Sequence, residues 1–423
     1  MPLKTFHDVP CPFCSLLCDD LVIGNRNGVL TVKKNGCHKA IRGFEPSRPD
    51  ASPLIKGKKA TLAEAIGGMV AILRKASQPL ITGLGTDVNG LRSAIQLAER
   101  TGAIIDHMHS AGMMRNLRVL QDHGWIMTTL AEIKNRADLI IFAGTDGTGN
   151  FPRFFERAIW HKDALFNKKT GQREIIYIGE KLDTRAGKSP SGRLPVVLEC
   201  RQEQIGEIIS TLHALAVGNS IRTASVAGIR TSELERLAEK LKQAAYGVLV
   251  WAPGELDFPH AELTVRAFCE LIKYLNRVTR FAGFSLGGND GGASAANVCA
   301  WQSGYPLRVS YGKGYPEYDP YKYSARNALR RKEVDAMVWI SSFSADTKPP
   351  KARIPTIVLS TPSTALDFRP EVFIPTGTPG LDHRGQLFRT DGVVSLPLKQ
   401  VVESRYPSVA DILNQVLASL PAG

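Results

Sequence analysis

The chain has 423 residues, 43% hydrophobic and 22% charged, with 53 Lys and Arg against 40 Asp and Glu, giving a formal charge of +13. That apolar content excludes a disordered chain and is enough for more than one core, and the 38 glycines keep no collagen period. No apolar run approaches the roughly 18 residues of a membrane span, and the first residues lack a signal-peptide core, so a soluble cytoplasmic protein that spans no membrane is expected.

Residues 1–52 read as a small cysteine-bearing module. Cys11, Cys14 and Cys18 precede two short strands, 21–24 and 28–32, joined by a turn through Asn25, Asn27 and Gly28, and Cys37 follows them. Such a hairpin brings the four cysteines together. Pro46, Pro49 and Pro53 then mark a linker.

From there the pattern alternates between helix and strand. Residues 60–76 carry Leu62, Ala65, Ile66, Met69, Val70 and Leu73 at helical spacing. Residues 79–85 read as a buried strand ending in a glycine turn, 91–101 as a helix and 103–106 as a strand. The run 137–144 is apolar on both faces, as a parallel strand is, and 154–160 and 174–179 extend the series as helix and strand. A helix-rich stretch spans 203–243, then strands are predicted at 246–251, 336–340 and 355–360, with a helix at 258–278 between the first two. This alternation predicts an α/β fold with crossover helices. The sequence-order division is 1–52, a first α/β domain at 53–190, and a second α/β region at 191–423. That last region holds a Gly/Tyr-rich pocket loop, 283–323, and a C-terminal pocket or interface segment, 375–400.

The strongest chemical signal is the spacing Cys11-x2-Cys14-x3-Cys18-x18-Cys37. Four thiolates suit either tetrahedral zinc or a [4Fe–4S] cluster, and the spacing alone does not separate the two. Cys200, Cys269 and Cys299 are scattered. In the loop, Gly287, Gly288, Gly291 and Gly292 let backbone approach a large ligand closely, with Asn289 and Asp290 available to read its polar edges. His107 and His109, with His123 further on, suit either an acid–base or metal role or ordinary hydrogen-bonded positions. The basic charge suits an anionic partner. Neither a zinc-finger spacing nor an aromatic–basic module points to nucleic acid.

The segment Cys11-Pro12-Phe13-Cys14-Ser15-Leu16-Leu17-Cys18-Asp19-Asp20-Leu21 resembles the iron–sulphur entrance of molybdopterin-dependent formate dehydrogenases, and most of all the B-type subunit of formylmethanofuran dehydrogenase. The likeness continues through Trp301-Gln302-Ser303-Gly304-Tyr305-Pro306 and Gly314-Tyr315-Pro316-Glu317-Tyr318-Asp319-Pro320, and returns over 380–392. It implies a molybdopterin oxidoreductase-like fold, with Rossmann-like α/β domains behind the four-cysteine module and no C-terminal β-barrel, that barrel being supplied by a separate subunit. It also implies a cofactor-facing role for Gly288, Asn289 and Asp290.

Redox-active members carry a metal-ligating cysteine or selenocysteine followed by histidine. Here Gly112 and Met113 take those positions, and no cysteine lies between Cys37 and Cys200. A thioether does not replace an anionic thiolate. Where the dehydrogenases carry an acidic Glu-Ala-Glu-Gly-Thr type of sequence, this chain has Leu381-Asp382-His383-Arg384-Gly385, so His383 and Arg384 are expected to face an anion. The resemblance therefore implies the degenerate branch found in the formyltransferase/hydrolase complex of methylotrophs. That setting implies no molybdopterin and no catalytic centre in this chain. Its partners would be a formyltransferase, an amidohydrolase-like formyl hydrolase and a small barrel- or β-helix-type subunit, together with a methanofuran-like carrier with an anionic polyglutamate tail.

Overall fold

The computed structural model describes residues 3–167 and 169–421. Its contacts group the chain into two compact units that do not follow sequence order: 1–110 together with 288–423, and 111–287.

The discontinuous unit is built on a nine-stranded mixed sheet whose middle strands are parallel: Ile104–Ile105, Pro79–Gly85, Ala336–Ser341, Thr356–Ser360 and Val372–Pro375, in that spatial order. Pro79–Gly85 and Ala336–Ser341 are buried along their whole length, which is why they read as unbroken apolar runs and not as alternation. The helix Leu62–Lys75 begins at Thr61, whose side chain accepts from the Glu64 N–H while the Glu64 carboxylate accepts from the Thr61 N–H. Two orphan donors are satisfied at once. The helix Val88–Thr101 starts at Asp87 and stops at Gly102 in the left-handed conformation, φ +66°.

In the same unit the hairpin Leu21–Arg26 and Val29–Lys34 pairs with a further strand, Lys4–Val9. The cysteine loop leading into the hairpin packs on a second one, Gly385–Phe388 with Ser395–Leu398. Leu17 is buried with Phe343, Leu387 and Leu398, and the Thr390 N–H donates to the Ser15 carbonyl at 2.8 Å.

The 111–287 unit has a five-stranded parallel sheet in the order Val196–Leu198, Glu174–Ile178, Leu139–Ala143, Gly247–Trp251 and Phe281–Ser285. The helices Ile205–Val217, Thr231–Gln243 and Ala261–Leu275 supply most of its core, with Leu212, Leu241, Phe268 and Trp251 wholly buried.

The main departure from the sequence pattern lies in 283–323. It contains the end of the strand Phe281–Ser285, the helix Gly292–Ser303 and the short strands Val309–Ser310 and Glu317–Tyr318. That helix is Ala-rich and carries Asn297, Trp301 and Gln302 without a single apolar face, so it gives no periodic signal. Residues 154–160, read as a helix, form a π-helical turn at Phe155–Ile159.

Candidate functional site

Four places carry the residues singled out from the sequence. The first is the cysteine loop. Cys11, Cys14 and Cys18 are buried and Cys37 is partly exposed, and all are free thiols. The Cys11 N–H donates to the Cys18 carbonyl at 2.8 Å and the Leu17 N–H to the Cys14 carbonyl at 3.1 Å, closing the loop on itself. Burial pushes the Cys11 thiol well up, and the nearby Cys14, Cys18 and Cys37 push it further. The four side chains therefore share one neighbourhood. Among the described residues, however, no group of three or more His, Cys, Asp or Glu is set around a point where a single ion could sit.

The second place is the loop at 288–292. Gly288 has φ +83°, and a Cβ there would come within 2.7 Å of the Ala293 Cβ, so the turn needs glycine. Asn289 and Asp290 are engaged inside the unit. The Asn289 Oδ1 accepts from the Ser15 N–H at 2.9 Å, tying this loop to the cysteine loop.

Asp290, at φ +52°, holds two histidines. Its carboxylate meets the His109 Nε2 at 2.8 Å and its carbonyl meets the His107 Nε2 at 3.1 Å. The His109 backbone N–H donates to the His107 Nδ1 at 3.0 Å. That bond needs a lone pair on Nδ1, so the His107 proton sits on Nε2 and donates to the Asp290 carbonyl. Burial, reinforced by the neighbouring His109 charge, drives His107 down to about 4, leaving it a neutral structural donor. Burial alone raises the Asp290 carboxyl, but the His109 bond and the charges of His109 and Lys39 outweigh it and leave it below its usual range. His109 remains half exposed. The partnership of Asp290 with the two histidines is a feature that the sequence reading missed, because the residues lie far apart in the chain.

The third place is the segment matching the dehydrogenase metal ligand. Gly112 is buried in the first turn of the helix Ser110–His123. A Cβ on it would lie 2.8 Å from the Gly254 Cα, 2.9 Å from the Gly254 nitrogen and 3.2 Å from the Pro253 carbonyl carbon. Real Cβ atoms do not approach backbone that closely. The obstructing segment is also pinned: Arg115 donates to the Pro253 carbonyl and to Asp257, each at 2.6 Å. The helix is fixed in turn by Asn116, whose Oδ1 accepts from the Trp251 indole at 2.9 Å and whose Nδ2 donates to Ser285 at 2.7 Å. Trp251 and Ser285 end their strands, and the carboxyl ends of parallel strands are where α/β sheets present chemistry. The residues at this position do not fit a metal: there is no donor atom at Gly112 and no room for one. His123 closes the same helix, where its carbonyl accepts from the Lys273 ammonium at 2.6 Å.

The fourth place holds His383 and Arg384. They border a cavity of about 340 Å³ in the discontinuous unit. Asp382 is buried and pairs with Arg48.

The fold is of the molybdopterin oxidoreductase type. The chain superposes on a chain of the formyltransferase/hydrolase complex FhcABCD from Methylorubrum extorquens, solved with methylofuran, with a TM-score of 0.74 at 24% identity over 87% of this chain and 98% of that one. Acetylene hydratase from Pelobacter acetylenicus shares the fold at a TM-score of 0.65 and 11% identity, over 98% of this chain and 69% of that one.

No family model matches the chain. Among curated proteins it is 27% identical to the B-type subunit of the tungsten-containing formylmethanofuran dehydrogenase 2 of Methanocaldococcus jannaschii, over 95% of this chain and 94% of the relative. It is 26% identical to the same subunit of the Methanococcus maripaludis enzyme, over 97% and 96%. It is also 27% identical to the B-type subunit of the formyltransferase/hydrolase complex Fhc of Methylorubrum extorquens, over 79% and 87%. Over most of its length the chain is thus similar to the B-type subunits of both these dehydrogenases and the formyltransferase/hydrolase complex.

Proposed function

We propose that this chain is a non-redox B-type subunit of a formyltransferase/hydrolase complex, a scaffold and carrier-binding surface without a catalytic metal of its own. In this reading the partner subunits pass a formyl group from tetrahydromethanopterin to a methanofuran-like carrier and release formate. The relatives' names and the complex containing methylofuran support the setting. The observation that carries the non-redox part is Gly112. Its Cβ direction runs into pinned backbone at Gly254, so a ligating side chain is missing and its space is filled. The net charge of +13 supports attraction of an anionic carrier tail.

The four cysteines are proposed to hold a [4Fe–4S] cluster, with zinc as the alternative. Either needs thiolates, so binding must displace the protons that burial favours. A cluster there would supply an electron-transfer centre or a structural clamp for the cysteine loop. Cytoplasmic location remains part of the proposal; among the described residues no helix is long and apolar enough to cross a membrane.

One observation favours a second reading, a molybdenum or tungsten pyranopterin dehydrogenase subunit: two of the relatives are tungsten-containing dehydrogenase subunits matched over nearly their full length. Elemental analysis of the anaerobically purified complex separates the two. The scaffold reading expects neither tungsten nor molybdenum, with formyltransferase and hydrolase subunits co-purifying. Stoichiometric tungsten or molybdenum with bound pterin would overturn it.

A further inference from the structure

The cavity beside His383 and Arg384 has an organisation that the subunit assignment does not explain. Its floor is made by two helices, Val88–Thr101 and Val409–Ser419, that run side by side in the same direction. Ser93 donates to the Asn414 side chain at 2.8 Å, and Arg100, one residue short of the helix end, donates to the Pro421 carbonyl, also at 2.8 Å. The constant offset between these pairs means that both N-termini open at one end, and Asp87, Asn89, Ser408 and Asp411 at those starts all border the cavity.

Each helix N-terminus carries roughly half a positive charge. The two carboxylates present are already committed to these ends. The Asp87 Oδ1 accepts from the Gly90 N–H at 3.1 Å, and the Asp411 Oδ2 accepts from the Ser408 N–H at 3.1 Å and its hydroxyl at 2.7 Å. Asp87 is 2% exposed; burial raises its carboxyl against the opposing pull of the backbone N–H groups and His383.

The cations, by contrast, are uncommitted. Arg92 and Arg384 border the cavity, and their side chains make no ion pair or hydrogen bond among the described residues. His383 borders the cavity beside them. Its Nδ1 is held by the Arg384 carbonyl at 2.7 Å, and its Nε2 is buried without a hydrogen-bond partner. A buried polar atom left open costs free energy unless something completes it. The helix ends thus offset much of the carboxylate charge, leaving two unpaired arginines on the rim of a polar cavity. Paired planar donors of this kind match carboxylate and phosphate oxygens.

We propose that this cavity binds a small ligand through an oxyanion, a carboxylate or a phosphate, gripped by Arg92 and Arg384. The inference rests on the cavity alone and stands whether or not the scaffold reading holds.

The test is calorimetric titration of the full chain at low salt with glutarate and, separately, inorganic phosphate. It compares the native protein with Arg92→Gln, Arg384→Gln and the remote, exposed Arg353→Gln. Both cavity arginines are exposed, so their variants keep the fold, which circular dichroism verifies. The expected result is saturable binding of one anion, weakened about tenfold or more by either cavity substitution and unchanged by Arg353→Gln. Preference for glutarate identifies a carboxylate ligand and preference for phosphate a phosphorylated one. No binding by the native protein, cavity variants that bind as tightly as the native protein, or equal weakening in Arg353→Gln overturns the site.

Discussion

The cysteine loop and the Gly112 segment are the two places that the family resemblance matches to metal ligands, and their surroundings differ. At the first, four thiols share one neighbourhood, three of them buried, in a loop that packs on the C-terminal hairpin. At the second, the position that the resemblance matches to the ligand is Gly112, and pinned backbone occupies its Cβ direction. The contrast separates loss of a residue from loss of a site. A missing side chain is reversible by one substitution, whereas a filled position is not.

The largest expected effect lies at the first place. Cys14→Ser or Cys18→Ser should abolish iron (or zinc) binding outright, as read by metal content of the anaerobically purified complex, because a four-thiolate site rarely survives loss of one ligand. Unchanged metal content in both variants would make the thiols purely structural and erase the contrast.

At the second place, Gly112→Cys should destabilise the 111–287 unit by about 2 kcal/mol through overpacking against backbone, a fall of several degrees in Tm. It should also restore no tungsten or molybdenum. A variant as stable as the native protein would mean the Gly254 segment yields, and that only the residue had been lost.

The Asp290 cluster joins the two themes, since its loop is tied to the cysteine loop through Asn289 and Ser15. His107 is held down to about 4, while an unfolded histidine titrates near 6.5. The unfolded chain therefore binds more protons between these values. The stability from a neutral His107 is complete above the unfolded value and lost as pH falls toward 4, amounting to about 2 kcal/mol by pH 5. The depressed Asp290 acts in the same direction at lower pH. Urea unfolding from neutral pH down to about 5 should show this slope, and His107→Gln should flatten it; an unaltered slope in the variant would contradict the buried, neutral assignment.

The smallest effect is Asn289→Ala, which removes the acceptor for the Ser15 N–H and should cost about 1 kcal/mol in thermal unfolding. It should also leave the cysteine loop more open to thiol-reactive dye. No change in dye reactivity would show that the loop is held by the Leu17 cluster alone.

Much of the fold was legible from sequence because burial wrote it there. The helix at Leu62–Lys75 announces itself by period and by the Thr61–Glu64 box, and Leu139–Ala143 by being apolar on both faces. The helix Gly292–Ser303 was not legible, since small residues pack without forming an apolar stripe. At the candidate site, residue types were visible but their partners were not. Gly112 shows in sequence as a missing thiolate, while the Gly254 backbone that fills the space is 142 positions away and carries no motif. Arg92 looks like any polar position on an amphipathic helix; only the parallel packing of its helix on Val409–Ser419 reveals a cavity. Likewise His107 and His109 suggest chemistry, yet their roles are set by Asp290, 183 and 181 residues further on.

The proposed function is that of a subunit without redox chemistry in a complex that releases the formyl group as formate. Its most direct test is an anaerobic assay of the purified complex with the formylated carrier, following formate release and viologen dye reduction together. Formate release independent of the dye, with no dye reduced, is the predicted result. Dye reduction coupled to loss of the formyl group, and dependent on this chain, would contradict it.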